Sequence, residues 1–179
     1  MAKVAFMTFG ILLGPRNSGT VKGFTDRIPG VYEAVDGSDG FVDRSKIDET
    51  TGQHSWGELP VPRFILDGEE SCIARTLSLW DDLESVFAFG YAGNHAEALS
   101  HRMEWFRPGD YPTYVAWWID DGEIPNWVDA HARHEHLHDN GPTPYAFNFK
   151  AAFGADGEPV EISRAKAKAK VIKNLGSMD

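Results

Sequence analysis

The stretch Thr76-Leu77-Ser78-Leu79-Trp80-Asp81-Asp82-Leu83-Glu84-Ser85-Val86-Phe87 contains the change of period that decides the fold. Up to Trp80, Leu77 and Leu79 point one way while Thr76, Ser78 and Trp80 point the other, the two-residue repeat of a strand. From Leu83 the apolar residues return after three and four positions, the helical repeat, and Asp81 or Asp82 offers a carboxylate to cap the free N–H groups of a helix start. A strand that feeds a helix belongs to a sheet carrying a helical layer, so the flanking segments decide how large that sheet is.

Toward the N-terminus, Gly40-Phe41-Val42-Asp43-Arg44 begins another strand, and the apolar run Val4 to Leu12 a further one that stops at Gly14-Pro15. Between them Val21, Phe24, Ile28, Val31 and Val35 keep helical spacing, with Pro29-Gly30 expected to break or kink the helix. Asp48 to Pro62, with Gly52, Gly57, Pro60 and Pro62, reads as a polar excursion between strands. Toward the C-terminus the helix from Leu83, interrupted at Gly90 or Gly93, is expected to resume from Asn94 to Phe106. Tyr114 to Ile119 is the most strand-like run. Pro125 to Asp139 is helical and stops at Gly141, and Pro144 to Phe149 looks like a closing strand. Residues 1–153 are expected to form the domain. Residues 154–179, where Lys and Ala alternate from Arg164 to Lys170, are expected to be a solvated, partly disordered extension.

The order strand, helix, strand, strand, helix, strand is that of an α+β, ferredoxin-like fold with an added helix and strand, its antiparallel sheet bearing helices on one face. The other face needs a cover. Phe6, Trp80, Trp117 and Trp118 at or near strand positions favour a second copy of the sheet, which gives a homodimer with a cavity on each side; the excursion or the tail is the alternative cover.

Composition narrows the function. A net charge of −10 repels phosphate backbones and anionic membranes, so neither nucleic acid nor membrane is an expected partner. No apolar run approaches the roughly 20 residues of a membrane span, and the first ten residues place no basic segment ahead of their apolar run, so a cytoplasmic location is expected. A single cysteine, Cys72, excludes an intrachain disulfide and a zinc site of several thiolates. The glycine-rich dinucleotide and phosphate loops and the nucleophile elbow of serine hydrolases are missing from the sequence.

Several segments together resemble the family catalogued as domain of unknown function 3291: Phe6-Met-Thr-Phe-Gly10, Thr51-Gly-Gln-His-Ser-Trp-Gly57, Leu77 to Phe87, His95-Ala-Glu-Ala-Leu99, Arg102 with Trp105-Phe106, Pro112-Thr-Tyr-Val-Ala-Trp-Trp118 and Gly141-Pro-Thr-Pro-Tyr-Ala-Phe147. The resemblance covers about residues 3 to 150. It implies the dimeric α/β-barrel group, which includes antibiotic-biosynthesis monooxygenases and haem-degrading enzymes; spheroidene monooxygenase, a haem-dependent carotenoid oxygenase, is similar at a distance. Fold in such a group does not decide function.

Two readings compete for His95. On a continuous helix it shares a face with Leu99, Arg102 and Phe106. The resemblance implies a haem ligand at or near His95 with Arg102 pairing a propionate or substrate carboxylate; without haem, His95 is a general acid or base. The structural alternative makes His95 a helix cap or a core histidine bonded to a carbonyl, with Arg102 answering Glu97 or Glu104. Trp80, Phe87, Tyr91, Trp117 and Trp118 are expected to wall a pocket for a flat, largely apolar substrate, with His54 in the excursion as part of its lid; in the alternative they are core. His131, His134, Glu135 and His138 share a broad face of the last helix, without a metalloprotease motif, and are expected on a surface helix. The function these features imply is a small-molecule oxygenase or oxidoreductase, haem-dependent or not, acting on an aromatic or polyketide-like substrate in a cavity under the sheet, on its helix-free side. A cofactor-free isomerase or cyclase and a non-catalytic ligand-binding protein are the alternatives.

Overall fold

The computed structural model describes residues 1–91, 95, 97 and 100–176. Four strands, β1 (Lys3–Ile11), β2 (Phe41–Arg44), β3 (Ile73–Trp80) and β4 (Tyr114–Ile119), form one antiparallel sheet in the order β2-β3-β1-β4. The protein is α+β. β1 lies in the middle, with Ala5 opposite Leu79 of β3 and Trp117 of β4. The chain passes from β1 to β2 through α1 (Lys22–Thr25) and α2 (Ile28–Asp36), and from β3 to β4 through a stretch that includes α3 (Leu83–Gly90) and α4 (Arg102–Trp105). Pro29 falls in the first turn of α2, where no N–H is missed, so the expected break comes earlier, between α1 and α2.

Alternation divides the strand residues between two faces. On one, Val4, Trp80 and Ala116 pack with Val35, Leu83 and Val86 of the helices, and Leu12, Val21, Ala74 and Trp105 form a second cluster. On the other, Ala5, Met7, Phe9, Leu77 and Trp117 are buried under Trp56 and under Trp127, Ala130 and Leu137 of α5 (Trp127–Asn140). A cover for this face is supplied by the chain itself, and Trp117, expected to line a cavity there, is instead packed core. The sequence conceals it because the inward stripe of α5 reads Trp127, Ala130, His131, His134, Leu137, and two histidines sit where aliphatic residues are expected. His131 is 3% exposed and His134 0%, so the helix expected at the surface is a core helix on this side.

The expected closing strand is reduced to a single bridge to the sheet, in which Ala116 and Phe147 exchange backbone hydrogen bonds of 2.8 and 2.9 Å, flanked by the local bridges Thr143–Ala146 and Asn148–Ala151. A short hairpin of β5 (Ala152–Phe153) and β6 (Pro159–Val160) follows.

Arg164–Gly176, where composition alone suggests a solvated extension, is the helix α6, docked on α3. Ala167, Lys170, Val171 and Asn174, at helical spacing, are its less exposed residues. Lys170 reaches Asp39 (2.9 Å) and Asp82 (3.2 Å), and Asn174 accepts from the Asp39 backbone N–H at 2.8 Å. Lys173 also pairs with Asp39, and the two ammonium groups hold its carboxyl below the usual range. Because Ala167 is only 3% exposed, Ala167→Glu is expected to bury a charge, cost about 1–3 kcal/mol and speed tryptic cleavage in α6. Unchanged cleavage and an unchanged urea midpoint would mean that α6 does not dock.

Candidate functional site

The junction between β3 and α3 sets the first wall. Asp82 Oδ1 accepts from the Ser85 backbone N–H and from Ser85 Oγ, both at 2.8 Å, which satisfies a free donor of the helix start. The turn before β2 closes on this cap: Gly40 has φ +77°, and a Cβ there would stand 2.1 Å from Ser85 Oγ, so only glycine serves. α3 thus leaves the sheet in a fixed direction, carrying Phe87 and Phe89.

His95 follows this helix. Its Nδ1 lies 2.9 Å from the Gly90 carbonyl, which can only accept, so Nδ1 carries the proton and Nε2 keeps its lone pair. Burial lowers the pKa of the ring and keeps it neutral near pH 7, although the bond to Gly90 works the other way. No hydrogen bond to Nε2 occurs among the described residues. The imidazole stands 5.0 Å from the Phe89 ring, itself 5.5 Å from Trp80.

The same sheet face carries a half-buried aromatic surface. Phe6 stacks on Phe149 at 5.5 Å and 5°, and Phe149 also meets Tyr114 (4.9 Å) and Phe87 (5.5 Å), while Phe87 touches Tyr91 at 4.7 Å. The Tyr114 hydroxyl, whose pKa burial pushes up to about 12, accepts from the Phe149 backbone N–H and is neutral at any physiological pH. Thr8 and Thr76 share a 2.7 Å hydroxyl bond on this face and are also half-buried, unlike the closed residues of the opposite side.

The expected site residues therefore separate. On the helix-bearing side His95 and Trp80 meet through Phe89, while Phe87 and Tyr91 join the separate group around Phe149; Trp80 is a core residue whose Nε1 donates to Ser78 Oγ. Trp117 is buried on the opposite face beside Arg133. Trp118 donates to the Phe153 carbonyl at 2.7 Å and floors a shallow hollow of about 340 Å³ next to the β5–β6 hairpin. His54 lies on the α5 side, 5.5 Å from Trp127. Arg102 begins α4 after a turn at His101 and is exposed, so the single helix face expected to join it to His95 is interrupted. Leu99, the third member of that face, and Gly93 and Asn94 lie outside the described residues. Glu97 is taken by Arg27 in two 3.0 Å hydrogen bonds, and Glu104 by His101. Sequence reasoning misses Phe149; its one signal is that it follows the bridged Phe147 by two residues.

Sheet, cap and histidine define an α+β protein whose helical layer holds a neutral imidazole against Phe89 and carries a separate aromatic group around Phe149. The chain belongs to the family described as Domain of unknown function (DUF3291), which it matches over residues 3–163. Among curated proteins no significant match was found.

Proposed function

We propose that this chain is a small-molecule oxidoreductase of the oxygenase type, which takes an aromatic or polyketide-like substrate on the aromatic surface of its helix-bearing face, with His95 as the reactive group. The bond from Nδ1 to the Gly90 carbonyl is the observation that carries this reading, because it fixes the tautomer and leaves the lone pair on Nε2, which no described residue engages. The strand order supports it: β1 between β3 and β4, with β2 outermost, agrees with the order expected of a ferredoxin-like sheet.

Haem fits the donor set. A neutral histidine oriented by a carbonyl is a usual form of haem-iron ligand, and the Phe89 ring beside it suits a flat macrocycle; Arg102, which the turn at His101 puts out of phase with His95, is not part of this donor set. Bound haem would supply the iron that activates oxygen. In its absence Nε2 accepts a proton from the substrate, leaving a carbanion held against the aromatic rings.

Hemin titration tests the choice. The wild type is expected to develop a Soret band that His95→Ala does not, with the circular dichroism of both proteins alike. If hemin is ignored, turnover lost in His95→Ala still supports the base role, and turnover under strict anaerobiosis assigns a cofactor-free isomerase or cyclase. A His95→Ala protein with unchanged ligand binding and turnover would overturn the proposal.

A further inference from the structure

The opposite side of the sheet holds a second group of side chains that the His95 site does not use. Arg75 of β3 projects from the α5-covered face and is half-buried, yet no carboxylate lies within 4 Å of its guanidinium among the described residues. This is unusual in a chain with 27 acidic residues against 17 basic ones. Instead Nη1 donates to the Pro60 carbonyl at 2.7 Å and to His131 Nε2 at 2.9 Å. Those two bonds use one nitrogen. Nε and Nη2 donate to no described residue, and together they form the side-on edge whose parallel N–H bonds match two oxygens of one anion.

Arg16 comes to the same place and is held there. Its backbone N–H donates to the Ser71 carbonyl at 3.2 Å and its Nε to the Ile73 carbonyl at 3.0 Å, two residues from Arg75 on the same strand. Its terminal nitrogens have no carboxylate partner among the described residues. Two cations that no acid separates repel each other, and Arg75 shows it: burial first, and Arg16 second, pull its pKa down to about 10. His54 next to them is kept neutral by burial, then by Arg75 and Arg16, and its buried Nδ1 has no partner among the described residues. His131 must accept at Nε2, since a guanidinium only donates, so its Nδ1–H is a buried donor that is also unpaired among the described residues. The Trp127 ring, 5.6 Å from the Arg75 guanidinium, completes a rigid setting.

We propose that Arg75 and Arg16 form a binding site for the oxyanion of a small molecule, a carboxylate or a phosphate group, between β3 and the Asp48 to Pro62 excursion. The anion occupies the open Nε and Nη2 edge of Arg75 and the outer nitrogens of Arg16, and removes their mutual repulsion. Both guanidinium groups are anchored to backbone carbonyls beforehand, so little side-chain order is lost on binding. The site lies across the sheet from His95 and stands or falls independently of it.

Calorimetry of the full chain with sodium benzoate and with inorganic phosphate, each against sodium chloride at equal ionic strength, tests the site and distinguishes a planar from a tetrahedral anion. At least one is expected to bind, with affinity reduced tenfold or more by Arg16→Ala, an exposed residue whose loss leaves the core alone. Arg75→Lys, which keeps the charge and removes the fork, is expected to do the same, while His95→Ala binds as the wild type. Neither anion binding more tightly than chloride, or both arginine variants binding as the wild type, would overturn the proposal.

Discussion

Trp127→Ala is expected to lower the unfolding free energy by about 3–5 kcal/mol, the range for emptying a large aromatic site in a core. Trp127 is 1% exposed and joins three parts of the molecule. Its Nε1 donates to Ser45 Oγ at 2.9 Å just beyond β2, its backbone N–H to the Trp56 carbonyl at 3.1 Å in the excursion, and its ring lies against His54 and Arg75. Truncation leaves a void that neither the sheet nor the excursion can collapse into, because each is fixed by its own hydrogen bonds. It also leaves Ser45 Oγ without its donor. The neighbouring Val128 is 61% exposed, and Val128→Ala provides the control, expected to change stability by no more than about 0.5 kcal/mol. Urea unfolding followed by circular dichroism measures both. A loss under about 1 kcal/mol for Trp127→Ala would mean that α5 does not close this face of the sheet.

The same helix shows where the sequence stops being legible. Strands β1, β3 and β4 follow the alternation of their residues, and the start of α3 follows the Asp82 cap, because both are local properties of the chain. Which face is covered, and by what, is not local. The apolar stripe of α5 contains His131 and His134, whose polarity disguises a core position until Arg75 and the Pro112 carbonyl are seen to satisfy one nitrogen of each ring. α6 is hidden for a related reason: its docked face is Ala167, Lys170, Val171 and Asn174, too polar to register as amphipathic, and its partner is the pair Asp39 and Asp82, distant in sequence. For the candidate site, residue type and approximate place are readable for His95, Phe87 and Tyr91. The Gly90 carbonyl that assigns the tautomer is not, and the pairing of His95 with Arg102 fails because a turn at His101 breaks the helical phase on which it depends.

Acidification from pH 7 to pH 5 is expected to remove roughly 4 kcal/mol of stability, well before the carboxylates titrate. Burial is the first cause in both α5 histidines: it pulls His131 down to about 3, aided by Arg75 and His134, and His134 down to about 4, where the bond to Pro112 opposes it and His138 and Arg63 reinforce it. An unfolded histidine titrates near 6.5, so between that value and the folded ones the unfolded chain holds more protons and stability falls as pH falls. At pH 5 each group has contributed about one and a half pH units of this difference, about 2 kcal/mol apiece. His54 and His95, also lowered by burial, act in the same direction. The acids held below their ordinary range, Asp39, Asp48, Glu69 and Asp139 among them, give up their stabilisation only below about pH 4.5 as they begin to protonate, so the interval above pH 5 isolates the imidazoles. Urea midpoints at half-unit steps read the slope directly. His131→Gln is expected to remove from the loss the roughly 2 kcal/mol that this ring contributes even though the variant is less stable at pH 7, because the slope depends only on the protons taken up on unfolding. A midpoint that stays constant from pH 7 to pH 5 would place these rings in water, and the face they help to close would then be open.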